Sequence, residues 1–440
     1  MYLRRLTVQN VKLLRDLSLD FVRDGDVRKW TVLIGENGVC KTALLQCIAL
    51  AASGPDRANQ LADVPSLIDV RNPGEPARII AEFTFGERGH KDREYPGLSA
   101  RPAKPPILRS TLRIEPGWRV FQGSSEWVDP SGESGVDPLR EASARGLRSW
   151  FVAGYGVARE LPRLPPDREL DPVLVRLDSL FGKSGLIATS FRDLLDKDRA
   201  TLYAILMIGA LGSKGIFPSD HLSIGLEMGH GERRHYRHTV GLETEGHQIP
   251  ETQLSQGYRS IIAWLADLLG QFAWEAQKPI GQHFVDTNSL EEVHALEGLV
   301  LVDDIDLYLH PRWQLTVIDG IRALFPGVQF VATTHSPMTI ASLRSDEIVR
   351  LQRGSNGNIE RVGVTQPPLT MTASEIYERY FALEKLYPVE LGEALQRYGL
   401  LAGDPTRNED GDAELGRLRK QLRDAGLDPG WEPVPREVAK

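Results

Sequence analysis

An α/β fold with a mixed sheet, its chemistry gathered along one sheet edge, is what this sequence predicts, and three stretches predict it. The apolar run WTVLI (30–34) enters the glycine-rich GENGVCKT (35–42) and continues into the apolar TALLQCIALAA, which reads as strand, turn and helix in series. A second apolar run, GLVLVDD (298–304), ends in two carboxylates, and a third, VQFVATTHSP (328–337), ends in a histidine. Ligands of open α/β sheets bind where the strands end, so the three stretches converge on one site.

The elements follow in order. YLRRLTVQNV and LSLDF alternate as strands and lead to WTVLI, and residues 1–55 form the first part of the fold. Residues 56–245 read as an inserted, irregular α+β region. It holds Pro/Gly-rich spacers, short strands such as RIIAEFTF and STLRIEP, and helical stretches near 191–212. Regular structure returns over 246–370: the amphipathic SQGYRSIIAWLADLLGQFAWEA, the two buried strands already named, a helix after HPRWQ, and a hairpin turning at Asn356-Gly357. Residues 371–440 read as a helical tail, a partner-binding region broken by the acidic loop NEDGDAE and ending in a mobile Pro-rich stretch.

Composition sets the outer bounds. The chain has 440 residues, 41% of them hydrophobic, enough for a large core, which excludes disulfide miniproteins. A net charge of −8 gives no general grip on nucleic acid. The two cysteines, Cys40 and Cys47, cannot staple a fold and fit a reducing cytoplasm. No run approaches the ~20 apolar residues of a membrane span, and LYAILMIGALG (202–212) reads as a buried helix. A soluble, cytoplasmic protein without a membrane partner is expected.

The chemistry rests on four motifs. Gly35, Glu36, Asn37, Gly38, Val39 and Cys40 form a turn whose backbone N–H groups, at a helix N-terminus, suit phosphate oxygens. Lys41 would reach the β- and γ-phosphates of ATP, and the Thr42 hydroxyl would ligate Mg²⁺. Asp303 would hold the Mg²⁺ shell, Asp304 would act as general base toward water, and His335 would emerge at the same edge. The stretch Leu254, Ser255, Gln256, Gly257 opens a long helix and offers a second anion site. Each motif alone also fits an ordinary turn, acid pair or helix cap; their joint order does not. Arg159 is expected near the nucleotide. His230, His235 and His238 lack the companions of a zinc site, and the Arg-rich segments leave nucleic-acid contact open against a solvated face.

The run LSQGYRS … LVLVDDIDLYLHPRWQ … FPGVQFVATTHSP resembles the AAA15/ABC-type ATPases related to OLD (overcoming lysogenization defect) proteins and the ATPase subunit of Septu-like antiphage systems. SWFVAGYGVAREL is similar to a further segment of these proteins. The resemblance implies an ABC-type P-loop head, working as a homodimer or higher homo-oligomer. Ser255 and Gly257 of one protomer would close on ATP held by the other, with His335 at the γ-phosphate and Asp306 in the loop between the sites. It also implies a separate effector, most simply a nuclease, because no acidic DxD strand of a Toprim domain follows TTHSP.

Two positions depart from the family pattern: Cys40 stands where a glycine is usual, and Asp304 replaces a glutamate. Both favour a slow ATPase switch over a fast motor. A non-hydrolysing scaffold stays open, and so does an SMC-like DNA-repair ATPase, although the long heptad arms of the latter are missing. The Cys40 N–H is expected to remain in the phosphate cradle, its thiol biased toward thiolate by the helix end, while Cys47 faces the core.

Overall fold

The computed structural model describes residues 1–88, 90–91, 93–133, 135–147, 150–159, 171–183, 222–228, 236–244, 247–249, 255–276, 294–364, 366–381, 389–428 and 432–435. The helical stretches expected near 191–212, the end of the Pro-rich tail, Leu254, His230 and His235 lie outside these residues. The chain divides into two compact units, residues 1–370 and 371–440.

Strands of the first unit run in the order β1 (Tyr2–Val11), β2 (Leu14–Asp20), the short β3 (Val22–Arg23) and β4 (Asp26–Val27), β5 (Trp30–Ile34), β6 (Ala77–Thr84), β7 (Ile107–Ile114), β8 (Gln122–Asp129) and β9 (Val152–Tyr155). After them come β10 (Leu222–Met228), β11 (Tyr236–Thr244), β12 (His247–Ile249), β13 (Gly298–Val302), β14 (Val328–Thr333), β15 (Ile348–Arg353) and β16 (Ile359–Val362). One sheet, ordered β2-β1-β6-β7-β8, is antiparallel throughout. A second, ordered β16-β15-β5-β14-β13-β9, is parallel except for the edge strand β16. Strands β10 to β12 form an antiparallel sheet of their own.

Burial explains the difference between the two larger sheets. Every residue of β5, β13 and β14 is buried, as parallel strands covered on both faces must be. Residues of β1 and β6 instead alternate, turning Leu6, Val8, Ile79 and Ala81 inward. The helix Lys41–Ser53 is apolar nearly all round, with Thr42 its one exposed residue. It is sandwiched: its Leu44, Leu45 and Ile48 share a core with Val8 and Leu112 of the antiparallel sheet and with Leu33, Leu301 and Val331 of the parallel one. Residues 77–129, within the stretch read as an insert, thus supply three strands of the sheet that β1 and β2 begin.

A buried glutamine stitches the sheets together. Pairing of β1 with β2 ends at Arg5, so the next backbone groups need other partners. Gln329 of β14, 0% exposed, supplies them: its Oε1 accepts the Leu3 N–H at 2.6 Å, and its Nε2 donates to the carbonyls of Leu3 at 2.9 Å and Arg28 at 3.0 Å.

The second unit holds the helices Ala373–Phe381, Val389–Gly403 and Glu409–Asp424. The last two pack through Ala394, Tyr398, Ala402, Leu415 and Leu422. NEDGDAE, read from sequence as a helix-breaking loop, instead begins the last helix. The Asn408 side chain accepts the Gly411 N–H at 2.9 Å as an N-cap, and Glu409, Asp410 and Asp412 sit in the first turn, where the helix dipole favours them. Among the described residues no helix is long and apolar enough to cross a membrane.

Gln329→Leu keeps the volume but orphans two carbonyls and an N–H. Stability is expected to fall on the order of 3 kcal/mol. Urea unfolding of the full chain should show a lower midpoint for the transition of the first unit with an unchanged slope.

Candidate nucleotide site

Because β5, β9, β13 and β14 run parallel, their carboxyl ends deliver Gly35, Gly156, Asp303 and Thr334 to one edge. At Gly35 φ is +147°, and a Cβ there would stand 2.4 Å from the Leu351 carbonyl oxygen, so only glycine fits. Gly38 also turns with positive φ. The helix then begins at Lys41 with no side chain capping its first N–H groups and no acid in its first turn, which leaves that end suited to an anion.

Lys41 lies against this loop, 7% exposed, its Nζ donating to the carbonyls of Gly35 and Glu36 at 2.9 Å each. Burial pushes its ammonium below the usual lysine range, while Asp304 and then Asp303 pull the other way. Thr42 Oγ1 donates to Asp303 Oδ2 at 2.7 Å, across the intervening strand β14. Thr333 Oγ1 donates to the other oxygen, Oδ1, at 2.6 Å and accepts the Asp304 N–H at 2.7 Å. A hydroxyl and a carboxylate in contact are hard oxygen donors of the kind Mg²⁺ takes, so Thr42 and Asp303 fit that ion. Asp304 is half-buried, with φ at 43°, in the left-handed region.

The loop after Asp304 is tied down at two further points. Thr334 Oγ1 donates to Asp306, whose carboxyl is pushed up by burial. Tyr308, exposed and with φ at 65°, turns its carbonyl onto Gly257, where a Cβ would meet that oxygen at 2.4 Å. The glycine lets the helix Gln256–Ala276 approach this loop, while Ser255 and Gln256 stay exposed beside it. His335 is exposed at the sheet edge between Thr334 and Ser336, and Ser336 caps the next short helix through the N–H groups of Met338 and Thr339.

One expectation is overturned. Cys40 adopts φ 63°, the left-handed conformation a glycine would supply without strain, and its side chain packs against the main core. Burial pushes its thiol up rather than down, outweighing a hydrogen bond with the Leu13 backbone. The helix end therefore does not make it a thiolate. Cys47, fully buried, is pushed up to about 12.

Sequence reasoning passed over three residues here. Thr333 and Thr334 were legible as hydroxyls ending the buried strand VQFVAT. Asp267 interrupts the apolar face of the helix Gln256–Ala276; it is 3% exposed and accepts a hydrogen bond from Tyr155 OH of β9 at 2.9 Å. Burial raises its carboxyl to about 7, against the hydrogen bonds of Tyr155 and Gln271. Among the described residues no cluster of three or more His, Cys, Asp and Glu is arranged to hold a metal.

A six-stranded mixed sheet with a glycine-rich loop, an acid-ended strand and a histidine-bearing edge is an α/β arrangement of the kind the resemblance to ABC-type P-loop heads leads one to expect. A family described as "AAA domain, putative AbiEii toxin, Type IV TA system" matches residues 163–341, which include Ser255, Asp303 and His335. The chain is similar to the Septu protein PtuA of Bacillus mycoides (strain KBAB4), 23% identical over 435 residues, covering 96% of this chain and 50% of that protein. It is also similar to the "Retron Vc95 probable ATPase" of Vibrio cholerae serotype O1 biovar El Tor, 36% identical over 104 residues, 23% of this chain and 18% of that protein. A solved SMC head bound to the C-winged helix domain of ScpA aligns with a TM-score of 0.48 at 15% identity, over 83% of this chain and 98% of that one. The chain thus spans half or less of the length of these two curated relatives.

Two measurements check these environments. At pH 7, iodoacetamide should label Cys40 more slowly than an unstructured thiol and leave Cys47 unlabelled until unfolding, as read by mass spectrometry. For Asp267 the folded carboxyl binds its proton more tightly than the unfolded one, near ~3.9, so stability should fall as pH rises from about 4 to about 7. Melting temperatures of Asp267→Asn should lack that component of the pH dependence.

Proposed function

We propose that this chain binds ATP with Mg²⁺ and hydrolyses it slowly, as a dimeric switch that controls a separate effector in antiphage defence. The observation that carries the reading is the Thr42–Asp303 contact at 2.7 Å, made beside a lysine folded over a glycine loop. The loop N–H groups and Lys41 would hold the phosphates, and Thr42 and Asp303 would hold the ion. When bound, Mg²⁺ neutralises charge on the β- and γ-phosphate oxygens. Water attacks the γ-phosphorus, the bond to the β–γ bridging oxygen breaks, and ADP leaves with that electron pair. Asp304 takes the proton of the water, and His335 stands at the edge that the γ-phosphate would face. Asp304 is one methylene shorter than a glutamate and fixed at its backbone, which favours slow turnover.

Exposure of Ser255 and Gln256 supports a site completed by a second copy, because these groups are presented outward at the start of their helix. The likeness to a Septu protein supports the defence setting, with cleavage left to a partner protein in the cytoplasm.

A mixing experiment tests this. Lys41→Ala and Ser255→Arg should each lack turnover, and a one-to-one mixture should recover about a quarter of the wild-type rate, since half of randomly paired dimers are mixed and each keeps one of two sites whole. No recovery despite proven mixed dimers would reject the shared site. A wild type that binds ATP without releasing phosphate would leave a nucleotide-bound scaffold.

A further inference from the structure

Arg159 is a cation built into the fold, and the reading above gives it no task. It follows β9 by four residues through a turn that is fixed from outside. Gly156 has no room for a Cβ, which would stand 2.2 Å from the Ser179 carbonyl oxygen. The Ser179 hydroxyl accepts the Gly156 N–H at 3.2 Å and donates to the Ala158 carbonyl at 2.9 Å. From this anchored turn the guanidinium enters the protein and is 4% exposed.

What it bonds is informative. Asp304, Asp303 and Asp306 all surround it, yet its Nη2 donates to backbone: to the Asp303 carbonyl at 2.9 Å and to the Asp304 carbonyl. The carboxylates are thereby left to other partners, Asp303 to Thr42 and Thr333. Asp304 is held at both backbone groups, its N–H by Thr333 and its carbonyl by Arg159 together with the Leu307 N–H at 3.0 Å, in a left-handed conformation that residues with a Cβ disfavour. A side chain on such a backbone leaves the line of the strand.

We infer that Arg159 is a positioning residue for hydrolysis: by bridging the carbonyls of Asp303 and Asp304 it holds Asp304 in the left-handed turn that sets the place of its carboxylate. This rests on the ATPase reading and deepens it. Arg159 touches neither phosphate nor water in this role; it acts through Asp304.

The experiment is a double-mutant cycle on the full chain, with Arg159→Lys keeping the buried cation but losing the planar fork, and Arg159→Met removing the burial cost of the charge should the lysine variant not fold. The folded variant is expected to bind a fluorescent ATP analogue as wild type does, with KM unchanged and kcat lowered about 10-fold or more. In an Asp304→Asn background the same change should cost almost nothing further, because the group it positions is already disabled. A crystal structure of the variant should show Asp304 out of the left-handed region. Unchanged kcat, a full additional loss on top of Asp304→Asn, or an unmoved Asp304 backbone would each overturn the inference while leaving the ATPase reading standing. A wild type without turnover would instead overturn the ATPase reading, and this inference with it.

Discussion

The carboxylate of Asp303 is gripped at both oxygens, by Thr42 from the loop helix and by Thr333 from the neighbouring strand, and the rest of the site is arranged around that grip. Strand β14 lies between β5, which leads into the loop, and β13, which ends in Asp303, so loop and acid could not meet through sheet pairing alone. Two hydroxyls close that gap. Each bond to an ionised acceptor exceeds an ordinary neutral hydrogen bond in strength, and together they leave the carboxylate little rotational freedom. Lys41, which feels Asp304 and Asp303 most among its neighbours, is thereby set against a fixed negative charge.

Such an arrangement is expensive for a fold to keep. Lys41, Arg159, Asp267 and Asp306 are all buried, and burial pushes each toward its neutral form. Buried charges are poor stabilisers compared with apolar side chains of the same size. Backbone strain adds to this: of the six described residues with a side chain and positive φ, Cys40, Asp304 and Tyr308 border the site, while Asn10, Lys12 and Asp24 lie at the turns of the N-terminal strands. The stability that offsets these costs lies elsewhere, in the apolar core around the loop helix and in the Gln329 stitch between sheets.

The segment from Asp303 to Leu309 joins what would be two halves of a shared mechanism. Its first residues contact Thr42, Thr333 and Arg159; Asp306 is fastened to β14 through Thr334; Tyr308 presses its carbonyl on Gly257, where the exposed Ser255 begins its helix. These ties leave the loop no free end between the two places it touches. Asp267 adds a second tie, from the same helix to β9 through Tyr155.

Sequence by itself determined the parts whose signature is local. Short, mainly apolar runs of five or six residues rich in β-branched side chains read as strands covered on both faces, and WTVLI, GLVLV and VQFVAT are such strands. A glycine turn between strand and helix marked the loop, and the acid pair and histidine followed from what ended each strand. Tertiary structure decided whatever depends on residues far apart in the chain. Alternation showed RIIAEFTF to be a strand but not that it pairs with β1, because period two carries no partner's name. The left-handed backbone of Cys40 turned its thiol toward the core, and burial then outweighed the helix end that had suggested a thiolate. NEDGDAE was legible as acidic and glycine-bearing, but whether Asn408 capped a helix depended on Leu415 and Leu422 finding Tyr398 to pack on. Arg159 was visible as an arginine beside a glycine turn. That it holds carbonyls rather than carboxylates was settled only when β9 and β13 lay side by side, since a hydrogen bond spanning 144 positions leaves no trace in local composition.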